Sequence, residues 1–301
     1  MNTIWSDFVQ TSAELNASRG LRFRADNKQL WLDAIGLRDG MNVLELGCGG
    51  GIFCQRVKEF LPQCSVTGVD LDSGHIAFAA ACAAEAGLDC RFVQADATAL
   101  PFADGSFDLC FSHTVIEHLP AEPFLREQLR VLKPGGRIAV LRCSTPHEMR
   151  NINDFLSAPQ EKELFDKAWA GAEHFAPTRH IAAYPLRDED FPRLLTECGF
   201  SRVSLEFFSS SDYCPDNATT PPERALAQIE STRLAALSSV EKARRIAPEN
   251  LSAQEYETLA ALIHARFDAR LAQYQRGEKC WDFTAGVVLC ATGHKRGGTT
   301  S

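Results

Sequence analysis

Between residues 41 and 143, short apolar runs alternate with longer amphipathic ones. "MNVLEL" (41–46), "SVTGVD" (65–70), "CRFV" (90–93), "FDLCFS" (107–112) and "GRIAVLRC" (136–143) are rich in Val, Ile, Leu and Phe. Runs this uniformly apolar suit strands covered on both faces, as in a parallel sheet. The segments between them carry a helical period. Ser73 reads as the N-cap of "GHIAFAAACAAEA", which stops at Gly87. "AEPFLREQLRVL" (121–132) sets Phe124, Leu125, Leu129 and Leu132 at helical spacing and is closed by "KPGG". Strand and helix in strict alternation predict a doubly wound α/β sheet with right-handed crossovers.

Beyond residue 143 the pattern loosens. "DEDFPRLLTECGF" (188–200) predicts a helix ending at Gly199, followed by a strand "SRVSLEFFS" (201–209), and "WDFTAGVVLCATG" (281–293) predicts a last strand. Two helices fall between those strands. Thr220 and Glu223 form a capping box with Pro221 at the first helical position. Ser252 and Glu255 form a second, opening a helix whose Tyr256, Leu259, Ile263, Phe267 and Leu271 make one stripe.

Charge narrows the partners. The 301-residue chain has a formal net charge of −8 and no long basic stretch. Nucleic acid and anionic membrane both need clustered Lys and Arg, so neither is expected as the main partner. The eleven cysteines are scattered, mostly among apolar neighbours, with no C-x-x-C pair. That argues against a zinc ribbon or a dithiol redox site and for small buried side chains in a reducing compartment. "MNTIWSDFVQ" has neither a basic nor an apolar targeting region, and the longest apolar run, "IAFAAACAA" (76–84), is too short to cross a bilayer. The expectation is a soluble cytoplasmic protein.

The chemistry is concentrated in "NVLELGCGGG" (42–51). A strand, a glycine turn and a helix bring backbone N–H groups and a helix N-terminus to a ligand. The spacing is G-x-G-x-G, whereas a dinucleotide fingerprint reads G-x-G-x-x-G and residue 52 is Ile. Three acids accompany the turn. Glu45 precedes it, Asp70 ends the second strand about twenty residues on, where an acid can hold ribose hydroxyls, and Asp96 follows the third strand. Acids around the crevice would repel a pyrophosphate and suit a ligand carrying positive charge. Asp96 also has a plainer reading as a turn-forming Asx residue.

"VLELGCGGG", "VTGVDLD", "VQADATALPFADGSFDLCFSHTVIEHL" and "LRVLKPGGRIAVL" together resemble the class I methyltransferases that use S-adenosylmethionine, in particular the small-molecule branch. The resemblance is strong over 41–143 and weak over 181–209. It implies a Rossmann-like, seven-stranded, mostly parallel sheet in the order 3-2-1-4-5-7-6 with helical lid insertions. Residues 1–40 would be N-terminal helices forming a cofactor lid. Residues 41–212 and 281–295 would be the core, with 144–185 a variable acceptor-site segment and 213–280 a helical insertion. Gly47, Cys48 and Gly49 would approach the methionine part of the cofactor beside Glu45. Asp70 would take the ribose and Leu71 the adenine face. Asp96 and the Ala97 N–H would take the adenine edge, and His113 the methionine amino group through main-chain carbonyls.

Methyl transfer needs alignment and desolvation first, and a base only where the nucleophile arrives protonated. His113 and His118 are the candidate bases; packing is the alternative role for His118. Some relatives hold Mg²⁺ with E-x-x-E-H and a later histidine. Here Glu117 and His118 match but Thr114 stands at the first acid, so Mg²⁺ is not expected, although His147, His174 and His180 follow. Trp5, Phe8 and Phe23 are candidate lid side chains, Arg22 and Arg24 candidate contacts for an acidic group, and "HFAPTRHIAAYP" (174–185), with His174, Arg179 and His180, a candidate edge of a partly aromatic, partly polar acceptor pocket. The resemblance implies a small-molecule acceptor with an O, N or C nucleophile. A binding module without turnover and a NAD-dependent oxidoreductase remain alternatives.

Overall fold

The computed structural model describes residues 11–151, 157–171 and 183–297. Seven strands form one sheet in the order β3-β2-β1-β4-β5-β7-β6, as expected. They are β1 (Asn42–Leu46), β2 (Ser65–Asp70), β3 (Cys90–Gln94), β4 (Phe107–His113), β5 (Leu132–Asn151), β6 (Phe200–Tyr213) and β7 (Phe283–Lys295). The pairs β1–β2, β1–β4, β2–β3 and β4–β5 are parallel. The chain order reverses between β1 and β4, which places a crevice at the carboxyl ends of these strands.

The chain divides into two compact units, one of residues 1–147, 180–210 and 286–301, the other of 148–179 and 211–285. In the first, side chains alternate along each central strand between two apolar layers. Val43, Leu109, Phe111, Ala139 and Leu141 enter one layer with Trp31 and Phe53. Leu44, Leu46, Cys110, Ile138 and Val140 enter the other with Phe124 and Leu125. A sheet buried on both faces is what the uninterrupted apolar runs require. The helices of this unit are α1 (Ser12–Arg22), α2 (Lys28–Ile35), α3 (Ile52–Phe60), α4 (Ser73–Glu85), α5 (Ala121–Val131) and α7 (Phe191–Glu197), the last preceded by a 3₁₀ turn at Asp188–Asp190.

Three boundaries differ from the pattern-based expectation. Helix α4 is capped by Asp72, whose carboxylate accepts from the Gly74 and His75 N–H groups at 2.7 and 3.2 Å, so Ser73 is its first residue. "KPGG" does not separate α5 from its strand: Leu132 already pairs with Phe107, and pairing resumes at Leu109–Arg137 after an irregularity. In the second unit, α8 (Pro222–Ile246) starts after Pro221 with no side-chain cap. The Thr220 hydroxyl donates instead to the Cys214 carbonyl at 3.0 Å, while Pro222 takes the first helical position that suits its missing N–H.

The second unit holds α6 (Pro159–Ala168), α8 and α9 (Ala253–Gln275). Ser252 and Glu255 form the expected capping box on α9, and Tyr256, Leu259, Ile263 and Phe267 bury their stripe with Leu164, Ile229 and Val240. Arg270, also buried, is held by Asp216 at 2.8 Å and Asp282 at 2.7 Å. All eleven cysteines are free thiols. No helix among the described residues is long and apolar enough to cross a membrane.

Candidate active site

The glycine turn leaves β1 in the left-handed region, with φ of 67° at Gly47, 52° at Gly49 and 78° at Gly51, conformations that L side chains resist. Protein, too, crowds this turn. A Cβ on Gly51 would lie 2.6 Å from the Ala79 methyl, one on Gly49 2.9 Å from Leu15, and one on Gly50 would collide with Asn16 and the Ser12 carbonyl. Helix α1 therefore roofs the turn, fixed at its start by a capping box between Thr11 and Glu14.

Asp70, the last residue of β2, ties the turn to its own strand end. One carboxylate oxygen accepts from the Gly49 N–H at 2.8 Å and the other from the Asp72 N–H at 2.9 Å. Leu71 follows it and is exposed. Asp96, after β3, accepts from the Thr98 N–H at 2.8 Å and its hydroxyl at 2.7 Å, which is the Asx turn of the plainer reading. Ala97, beside it, is half-buried. Cys48 is buried within the turn, and burial pushes its thiol well above the ordinary range.

Glu45 is buried on β1, where its carboxyl accepts from the Cys54 thiol at 2.9 Å. Burial, with the nearby Asp70 charge adding to it, raises its pKa to about 8. On β4 the buried His113 ring meets Phe23 edge-on at 5.2 Å, with Nε2 3.9 Å from the Cys143 sulfur. Burial, then the charges of Arg19 and Arg22, keeps it well below the usual imidazole pKa. Burial lowers His118, in the 3₁₀ turn Ile116–His118, to about 4. Both rings are thus neutral near pH 7 and weaker bases than a free imidazole. Beside His118, Glu117 is shifted up by burial, and its Oε2 is buried without a hydrogen-bond partner among the described residues.

Of the N-terminal candidates, Phe23 is not a lid side chain. It is fully buried and stacks on Phe53 at 3.9 Å, because the aromatic cluster with Trp31 fills the layer under α1. Arg24 pairs with Asp26 at 2.8 Å, and Arg22 donates to the Cys143 sulfur at 3.0 Å. Trp5, Phe8, His174, Arg179 and His180 lie outside the described residues, as does the side chain of His147. No group of three His, Cys, Asp or Glu residues that could hold a metal ion occurs among the described residues.

Arg19 is the residue that pattern reading passed over. It lies one helical turn beyond Leu15, so it shares the face of α1 that meets the glycine turn. Its guanidinium reaches Thr114 Oγ1 at 3.0 Å. Thr114 itself is left-handed, with φ 54°, and its hydroxyl donates to the His113 carbonyl at 2.7 Å. Only the i, i+4 spacing from Leu15 marked Arg19 in advance.

The chain is similar to known proteins in sequence and in fold. A model of the methyltransferase domain matches residues 44–140. The chain is 40% identical over 123 residues to a demethylmenaquinone methyltransferase of Beutenbergia cavernae, covering 39% of this chain and 49% of that one. It is 30% identical over 186 residues to the ubiquinone/menaquinone biosynthesis C-methyltransferase UbiE of Shewanella pealeana, covering 59% and 73%. The alignments thus span about half the length of the first two curated relatives. In fold, it resembles a phosphoethanolamine N-methyltransferase of Haemonchus contortus at a TM-score of 0.54, with 17% identity over 97% of this chain and 59% of that one.

Proposed function

The chain belongs to the class I S-adenosylmethionine-dependent methyltransferases, and from that premise we propose that it methylates an oxygen, nitrogen or carbon atom of a small molecule. The observation that carries this reading is the link from Asp70 to the Gly49 N–H. It joins the left-handed glycine turn to an acid at the β2 terminus, with Glu45 behind it. These residues fit an adenosyl cofactor with an amino-acid end. Asp70 lies where ribose hydroxyls would be held, Leu71 offers an exposed apolar face for a base, and Glu45 and Glu117 stand at the far end. When bound, the cofactor supplies a methyl group already activated on a sulfonium sulfur. The work left to the protein is orientation and exclusion of water. His113 and His118, neutral and weakly basic, support an acceptor more by hydrogen bonding than by taking its proton.

Acceptor choice resides, in this reading, in 144–185 and 213–280, which lie outside the family-matched residues 44–140. The relatives named for demethylmenaquinone and for ubiquinone and menaquinone biosynthesis make quinone precursors the first acceptors to assay. Isothermal titration with S-adenosylmethionine, S-adenosylhomocysteine and NAD, with and without Mg²⁺, tests the cofactor. Binding of the first two without NAD supports the proposal, and a requirement for Mg²⁺ would restore a metal role. Binding of NAD alone would sink it. Binding of S-adenosylmethionine without turnover of any acceptor would favour a non-catalytic binding module.

A further inference from the structure

The carboxyl edge of β1 and β4 holds half-buried positive charge without a matching anion. Arg19 is half-buried between α1 and the end of β4, and loss of solvent first, then the neighbouring Arg22 charge, lowers its pKa to about 10. Its hydrogen-bond acceptors are two neutral hydroxyls, Ser18 at 3.2 Å and Thr114 at 3.0 Å. Arg22 donates to a sulfur, Cys143. Among the described residues no carboxylate comes within 4.0 Å of either guanidinium. The nearby acids, Glu45 and Glu117, are both pushed towards the neutral form by burial. A guanidinium has five N–H donors, and Arg19 directs only two of them at hydroxyls. A half-buried, under-satisfied cation of this kind favours an anion that completes its hydrogen bonds.

Position says which anion. The sites along the sheet edge run from Asp96 after β3, through Asp70 at β2, to the glycine turn after β1. A cofactor laid with its base at β3 and its ribose at β2 brings its amino-acid end to β1 and β4. Arg19 reaches that place from the face of α1 whose Leu15 meets Gly49, and Thr114 steadies it at the end of β4. Resting on the methyltransferase reading, we infer that Arg19 is the binding residue for the α-carboxylate of the cofactor's methionine end, through charge-assisted hydrogen bonds. Helix α1 thereby contributes ligand-binding chemistry in addition to covering the turn.

The test compares two ligands that differ at that end. S-adenosylhomocysteine carries the amino acid; 5′-methylthioadenosine keeps the base, ribose and sulfur and lacks it. Titration calorimetry would be run on the full chain as wild type, Arg19→Ala and Arg19→Lys, with folding of each checked by circular dichroism. Arg19→Ala is expected to weaken S-adenosylhomocysteine by at least about tenfold while leaving 5′-methylthioadenosine within about twofold. Arg19→Lys, which keeps the charge but loses the planar fork, should recover part of the loss. Unchanged S-adenosylhomocysteine affinity in Arg19→Ala overturns the inference and points Arg19 towards an anionic acceptor. An equal loss for both ligands also overturns it, because it would show that Arg19 only holds α1 in place. Failure of the wild type to bind S-adenosylhomocysteine at all would instead sink the methyltransferase reading from which the inference starts.

Discussion

Glu45 shows how a single side chain combines structure and a measurable consequence. An acid just ahead of the glycines is visible in the sequence. Its ionisation state is not, because that depends on burial, on the Cys54 thiol from α3, on Asp70 from β2 and on Arg19 from α1. With a folded pKa of about 8 against an ordinary 4.5, the folded chain retains a proton that the unfolded chain releases between those two pH values. The native state therefore binds more protons in that window. Its Glu45 contribution is fully present below about pH 4.5 and is lost as the pH rises towards 8, by at most about 1.4 kcal/mol per pH unit. Glu45→Gln removes this slope. Urea unfolding of wild type and variant from pH 5 to 8.5, without cofactor, should show the wild type losing stability relative to the Glu45→Gln variant as pH rises. Parallel curves would mean that Glu45 is ionised in the fold. The glycines teach a related lesson. They are legible as a place of close backbone approach, yet Gly50 and Gly51 are crowded by α1, α4 and Phe92, that is, by the protein's own packing.

At the scale of elements, the strands are legible because burial on both faces leaves an unbroken apolar signature, and their order follows from a family resemblance rather than from periodicity. Helix starts are less legible, since "DLDS" (70–73) offers both Asp72 and Ser73 as caps and only backbone geometry chooses. Asp72 wins because Asp70 accepts its N–H and fixes it in the extended conformation from which its carboxylate reaches Gly74 and His75. Asp72→Ala should cost about 1 kcal/mol of stability, read as a lower urea midpoint at unchanged slope. Its N–H to Asp70 survives the substitution, so S-adenosylhomocysteine affinity should stay within about twofold. A lost affinity with unchanged stability would mean that Asp72 touches the ligand and does not act as a cap. Arg19 escapes the pattern for a different reason. An arginine on an amphipathic helix looks solvated until the partner covering it is known.

For the molecule as a whole, the two units are organised around different physics. The first is a sheet with two apolar layers. The second is a helical layer around Leu259 and Ile263 with a buried ionic knot at its edge. In that knot Arg270 is held by Asp216 and Asp282, Asp216 also accepts from the Cys280 and Trp281 N–H groups at 2.8 and 2.9 Å, and Tyr213 donates to Asp282 at 2.6 Å. Removing the cation from such a knot leaves two carboxylates buried and facing one another, at a cost of about 3–5 kcal/mol. The knot's residues lie in the second unit, whereas Glu45, Asp70 and Arg19 lie in the first. Arg270→Ala should therefore loosen one unit and spare the other. Hydrogen exchange read by mass spectrometry should show protection falling across 222–275 and holding across 42–70, with S-adenosylhomocysteine affinity retained and turnover of any acceptor reduced. Loss of protection in both spans together would show that the chain unfolds as one cooperative body. A cofactor site in the first unit and an acceptor segment at 213–280 in the second would then have no separate energetic basis.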